Sequence, residues 1–118
     1  MDYFRCFNRL HKILGPGLFE TVYELSLFKE LTLRKLNVKR QVPVPVLDKG
    51  EDLNAEFIID ILVENEIIIE LKAVESLLPV HTAQLLTYLR LTKKKLGYLI
   101  NFNVHKLVEG FKRIVNNF

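Results

Sequence analysis

Residues Tyr3 to Leu14 place Phe4, Phe7, Leu10, His11 and Leu14 three or four apart, the spacing of one helix face. Gly15-Pro16-Gly17 interrupts that period, and a second helix is expected from near Leu18 to Leu36. The period then changes from helix to strand. Val42, Val44 and Val46 alternate with Pro43 and Pro45 within Val38 to Leu47, predicting a strand whose proline positions lack ladder donors and suit a sheet edge. Asp48-Lys49-Gly50 is a turn signal. Two apolar runs follow, Phe57 to Val63 and Ile67 to Ala73, separated only by Glu64-Asn65-Glu66. Pro79 opens a third helix reaching to about Lys94, Leu96 to Phe102 reads as a fourth strand, and a last helix is expected from near His105 to Val115. The pattern predicts an α/β chain ordered α-α-β-β-β-α-β-α, with a mixed four-stranded sheet flanked by helices.

The two apolar runs carry the candidate chemistry. Folded as an antiparallel hairpin around the three-residue loop, they pair Val63 with Ile67 and Asp60 with Glu70. Directly opposed side chains have Cβ atoms roughly 5 Å apart, so two carboxylates there repel unless a cation lies between them. Alternation places Ile58, Leu62 and Ile68 on the face of Asp60 and Glu70, and Phe57, Ile59, Ile61, Val63, Ile67, Ile69 and Leu71 on the other. Both faces read as covered, and a buried charge needs a partner or an ion. Lys72 falls on the Glu70 side. A metal ion satisfies this set, and so does an ion-pair cluster without catalysis.

The chain has 118 residues, read as one domain over 1–118, and 49% hydrophobic with 26% charged residues describes an ordinary soluble globule. No apolar stretch reaches membrane-spanning length, and Asp2, Arg5 and Arg9 break the N-terminal hydrophobic residues, so no membrane association and a cytoplasmic location are expected. The single cysteine, Cys6, excludes an intramolecular disulfide and a cysteine-rich zinc site. A net charge of +3 permits nucleic-acid binding without requiring it.

Asp60 followed by Glu70-Leu71-Lys72 resembles the acid and E-x-K constellation of the PD-(D/E)xK nuclease superfamily, although Ile59 replaces the usual proline. Gly17-Leu18-Phe19-Glu20-Thr21-Val22-Tyr23 reads G-x-x-E-x-x-Y at the start of the second helix. The chain thereby resembles the GxxExxY protein family, a group of small PD-(D/E)xK-like proteins. The resemblance extends through Gln41-Val42-Pro43-Val44-Pro45-Val46 and Glu70-Leu71-Lys72-Ala73-Val74 to Leu99-Ile100-Asn101-Phe102-Asn103. It departs at Ile58, where that family commonly has a basic residue. The resemblance implies a restriction-endonuclease-like core and a metal held by Glu20, Asp60, Glu70 and the Leu71 carbonyl. Gln84 and Tyr88, four apart on one helix face, resemble the Q-x-x-x-Y element of RecB-like and phage exonuclease members, where they position water or backbone.

Other positions have simpler expectations. Glu24 reads as a solvated neighbour of Glu20, His11 and His81 as packing residues that could alternatively touch phosphate or help a proton transfer, and His105 as the start of the last helix. Lys93-Lys94-Lys95, with Arg34, Lys35, Lys39 and Arg40, reads as a solvated face that would also suit a phosphate backbone. The reading that joins these features is hydrolysis of phosphodiester bonds in DNA with Mg2+ or Mn2+, with Lys72 orienting water. A homodimer or partner protein would add substrate recognition. The competing reading is a non-catalytic nucleic-acid-binding or protein-interaction module that keeps the fold.

Overall fold

The Asp2 carboxylate accepts a hydrogen bond from the Arg5 amide and opens helix α1 (Tyr3–Leu14). The structure is a computed structural model and describes residues 1–117. Helix α2 (Glu20–Leu33) precedes strands β1 (Val38–Asp48), β2 (Glu51–Val63) and β3 (Ile67–Lys72). Helix α3 (Pro79–Thr92), β4 (Leu96–Asn101), a single 3-10 turn (Leu107–Glu109) and β5 (Phe111–Val115) complete the order. Among the described residues no helix is long and apolar enough to cross a membrane.

Among the described residues the strands form one five-stranded sheet in the order β1-β2-β3-β4-β5. β3 and β4 are parallel and joined through α3, while the other neighbours are antiparallel. The proline-bearing β1 lies at one edge, as Pro43 and Pro45 require. Val63 pairs with Ile67, the register expected from the three-residue loop. α1 and α2 cover one sheet face, burying Phe7, Tyr23, Leu27 and Leu31 against Ile61, Ile69, Leu71 and Ile100. α3 covers the other, packing Leu85 and Leu89 on Leu62, Ile68 and Leu99.

Three expectations fail. The helix expected from His105 to Val115 is instead the short turn followed by β5, which makes the sheet five-stranded rather than four-stranded. Leu107, Phe111 and Ile114 have helical spacing, but Phe111 joins the α1/α2 core while Ile114 packs on the α3 side. Residues three apart serve opposite faces in a strand and the same face in a helix. The open edge of β4 captures the segment, and Gly110 lets it approach: a Cβ there would collide with the Asn101 carbonyl.

The second helix is shorter than expected, because Lys35 at φ 65 ends it with a left-handed residue and Phe19 rather than Leu18 caps its start. The third failure concerns sheet faces. Phe57 and Ile59 lie with Leu62 on the α3 side, not opposite it, and Ile58 is exposed. Strict alternation is therefore broken at Asp60.

Candidate active site

β2 and β3 pair from Val63 opposite Ile67 to Ile61 opposite Ile69, and beyond that point side chains take over from the ladder. The Asp60 amide donates to Glu70 Oε1 at 3.3 Å, and the Leu71 amide donates to Asp60 Oδ2 at 2.9 Å. Each carboxyl thus satisfies a backbone donor near the other residue. Glu70 is 7% exposed; burial, then the charge of Asp60, pushes its carboxyl up to about 9. Burial also raises Asp60, countered by the Leu71 amide. Lys72, half-buried and two residues beyond Glu70, lowers the Glu70 value in part by its charge.

The break in alternation at Asp60 has a counterpart on the neighbouring strand. Arg40 pairs with Ile61 and Val42 with Ile59, which leaves Gln41 opposite Asp60 by count, and Gln41 has φ 52. Val38 packs in the α1/α2 core, whereas Val42 and Val44 pack under α3. Both strands change faces at this one level. Arg40 Nε and Nη2 reach Glu24 Oε2 at 3.0 and 2.6 Å, and Gln41 Nε2 reaches Glu24 Oε1 at 2.7 Å. Glu24 is therefore no solvated neighbour. It is 6% exposed and fully engaged, and its charge contributes to raising Asp60.

The helices converge on the carboxyl pair from both sides. Glu20, exposed in the first turn of α2, is close enough for its charge to raise Asp60. On α3, Gln84 lies one helical turn before Tyr88, and Tyr88 is raised by burial and by the charges of Glu70 and Asp60. The Tyr88 ring stacks on Phe57 at 4.0 Å between centroids and 2° between planes. This stack uses the face change at Asp60, since it needs Phe57 under α3. The cavity between α1 and α2, about 320 Å³ and lined by Leu10, Ile13 and Leu33 among others, does not contain these groups.

A second set of residues holds the loops around the site. The Tyr23 hydroxyl donates to the Gly15 carbonyl at 2.6 Å and accepts from the Leu18 amide at 3.2 Å, while its ring stacks on Phe102 at 4.5 Å. The Gly17 amide donates to Asn103 Oδ1. Buried Asn101 exchanges hydrogen bonds with both the amide and the carbonyl of Val74, extending the β3 end as a strand partner would. His11 Nε2 lies 3.0 Å from the Phe102 carbonyl, and His81 Nδ1 accepts from the Leu78 amide at the start of α3. These histidines have structural partners, as expected, but His105 starts no helix. Sequence reasoning missed Arg40, Gln41, Asn101 and Asn103 as site-building residues. The signal available was Arg40-Gln41 just before a β-branched alternation, two long polar side chains where one should face a core.

Among the described residues no three His, Cys, Asp or Glu side chains gather into a metal-binding group. Asp60 and Glu70 nevertheless fit a hard divalent cation of the magnesium type, which keeps several waters and takes one or two carboxylates. The Asp60 charge helps to raise the Glu70 carboxyl, a repulsion that a cation between them would relieve. No curated protein matches the chain. The sequence does match the profile of the PD-(D/E)XK nuclease superfamily over residues 2–114, a span that includes every helix and nearly all of β5. With that match over most of its length, and an acid on β2 facing the Glu70-Leu71-Lys72 run of β3 across a mixed sheet, the chain belongs to the PD-(D/E)XK nuclease superfamily.

Proposed function

We propose that the protein is a Mg2+- or Mn2+-dependent nuclease hydrolysing phosphodiester bonds in DNA. The observation that carries this reading is the Asp60 and Glu70 pair, whose carboxyls each accept a backbone amide across the β2–β3 step, with Lys72 two residues beyond Glu70, in a chain of nuclease ancestry. Asp60, Glu70 and the Leu71 carbonyl would hold the ion, with Glu20 contributing from α2; all are oxygen donors suited to hard cations. The ion, when bound, supplies Lewis acidity toward a phosphate oxygen and lowers the pKa of water. Holding the ion would require Glu70 in its ionised form. Lys72 orients the attacking water and offsets charge growing on the phosphate. Gln84 bonds water or a phosphate oxygen, and Tyr88, fixed by its stack on Phe57, holds the Gln84 amide and borders the DNA backbone. A second copy or a partner protein would extend the substrate surface beyond the cleft.

The test is cleavage of linear, nicked and branched DNA with each metal, using Lys72→Ala as the control. Metal-dependent cleavage that disappears in Lys72→Ala, while ion binding persists, supports the reading. Folded protein that cleaves none of these substrates with either metal, or a Lys72→Ala variant as active as wild type, refutes it.

A further inference from the structure

We infer that Glu24, Arg40 and Gln41 form a positioning latch that holds the Gln41 backbone left-handed, turning the β1–β2 ribbon over at Asp60 and aiming its carboxylate at Leu71 and Glu70. The inference rests on the metal-site reading for its functional consequence, but the latch is defined by geometry. Consecutive strand residues normally point to opposite faces. Arg40 and Gln41 instead bind the two oxygens of one carboxylate, Arg40 through two nitrogens to Oε2 and Gln41 through its amide to Oε1. Only a reversal of the backbone between them allows this, and φ 52 at Gln41 is that reversal. A non-glycine residue in this region is strained and persists where its surroundings impose it.

Downstream of the reversal, Val42 and Val44 pack under α3, and on the paired strand Ile59 and Phe57 do the same. Asp60 is the pivot of the turnover. Its amide leaves the regular ladder for Glu70, and its carboxylate receives the Leu71 amide. With ordinary alternation through Gln41, Phe57 would face α2, Tyr88 would lose its stacking partner, and the Asp60 amide would return to a ladder. Glu24 is 6% exposed and lies one helical turn after Glu20, so α2 both presents Glu20 and anchors the kink. Replacing a residue that orients a metal ligand typically costs about 10–100-fold in metal affinity.

Valine and glycine at position 41 separate backbone shape from side-chain bonding. Valine disfavours positive φ, whereas glycine adopts it without the Glu24 contact. Mg2+ binding is measured by calorimetry, and exchange of the Leu71 amide by NMR. Gln41→Val is expected to weaken Mg2+ binding by about tenfold or more and to speed Leu71 exchange, while Gln41→Gly stays within about threefold of wild type. Glu24→Gln is expected to weaken binding by several-fold alone and not at all in the Gln41→Gly background, because a glycine kink needs no latch.

Gln41→Gly as impaired as Gln41→Val, or Gln41→Val indistinguishable from wild type, overturns the inference. If Gln41→Val does not fold, the Glu24→Gln comparison in the two backgrounds decides, and equal losses in both overturn it. If the wild type binds no Mg2+, the metal reading fails. Leu71 exchange then decides the latch separately: faster exchange in Gln41→Val alone supports it, and equal exchange in all variants overturns it.

Discussion

Replacing Glu70 with Gln removes an ionisable group while keeping an acceptor for the Asp60 amide. In the metal-free protein, burial and Asp60 raise the Glu70 carboxyl from 4.5 to about 9, so at neutral pH it is protonated when folded and ionised when unfolded. The folded state binds the extra proton. Its stabilising contribution is therefore complete below the unfolded value near 4.5 and is lost progressively as pH rises toward about 9. At pH 7 the gap above the unfolded value corresponds to at most roughly 3–4 kcal/mol, at roughly 1.4 kcal/mol per pKa unit, and water entry into the opened site reduces it. Glu70→Gln escapes this loss. Its metal-free Tm is expected to match wild type near pH 4 and to exceed it near pH 8, by up to about 10 °C for a chain of this length. Mg2+ should raise the wild-type Tm, releasing a proton, and leave the mutant unmoved. Thermal melts from pH 4 to 9, with and without Mg2+, supply the measurement. A mutant less stable than wild type above about pH 5, by an amount that shrinks toward pH 4, would mean that Glu70 is an ionised partner of Lys72, and would refute the raised-pKa reasoning.

Asp60→Asn keeps an oxygen for the Leu71 amide, so its metal-free melt should stay within about 1 kcal/mol of wild type while Mg2+ affinity in calorimetry falls at least tenfold. Asp60→Ala leaves the Leu71 amide unpaired and should cost about 1–3 kcal/mol in denaturant unfolding. Tyr23→Phe retains the Phe102 stack but strips the hydroxyl from Gly15 and Leu18, a loss of about 1–3 kcal/mol with unchanged circular dichroism. Gly110→Ala drives a methyl group against the Asn101 carbonyl and should destabilise by about 1–3 kcal/mol or more, detectable as faster exchange of amides paired between β4 and β5.

The sequence by itself determined the elements whose periodicity is local. α1, the proline-edged β1, the β2–β3 hairpin with its register, and α3 followed from the spacing of apolar residues and the turn residues between them. Register brought Asp60 beside Glu70, and helical spacing put Gln84 and Tyr88 together on α3. The tertiary structure decided what a local period cannot encode. Leu107 to Val115 suits either a helix or a strand, and the unpaired edge of β4 selected the strand. The change of faces at Asp60 depends on Gln41 being left-handed, a backbone state that its own residue type disfavours and that Glu24, on a different element, supports. Glu24 looked like a solvent-facing acid because helical position says nothing about a cation arriving from a strand sixteen residues later; Arg40 made it a buried one. Short-range pattern thus specified which side chains lie together along each element, while burial and long-range pairing specified which way the acidic strand faces.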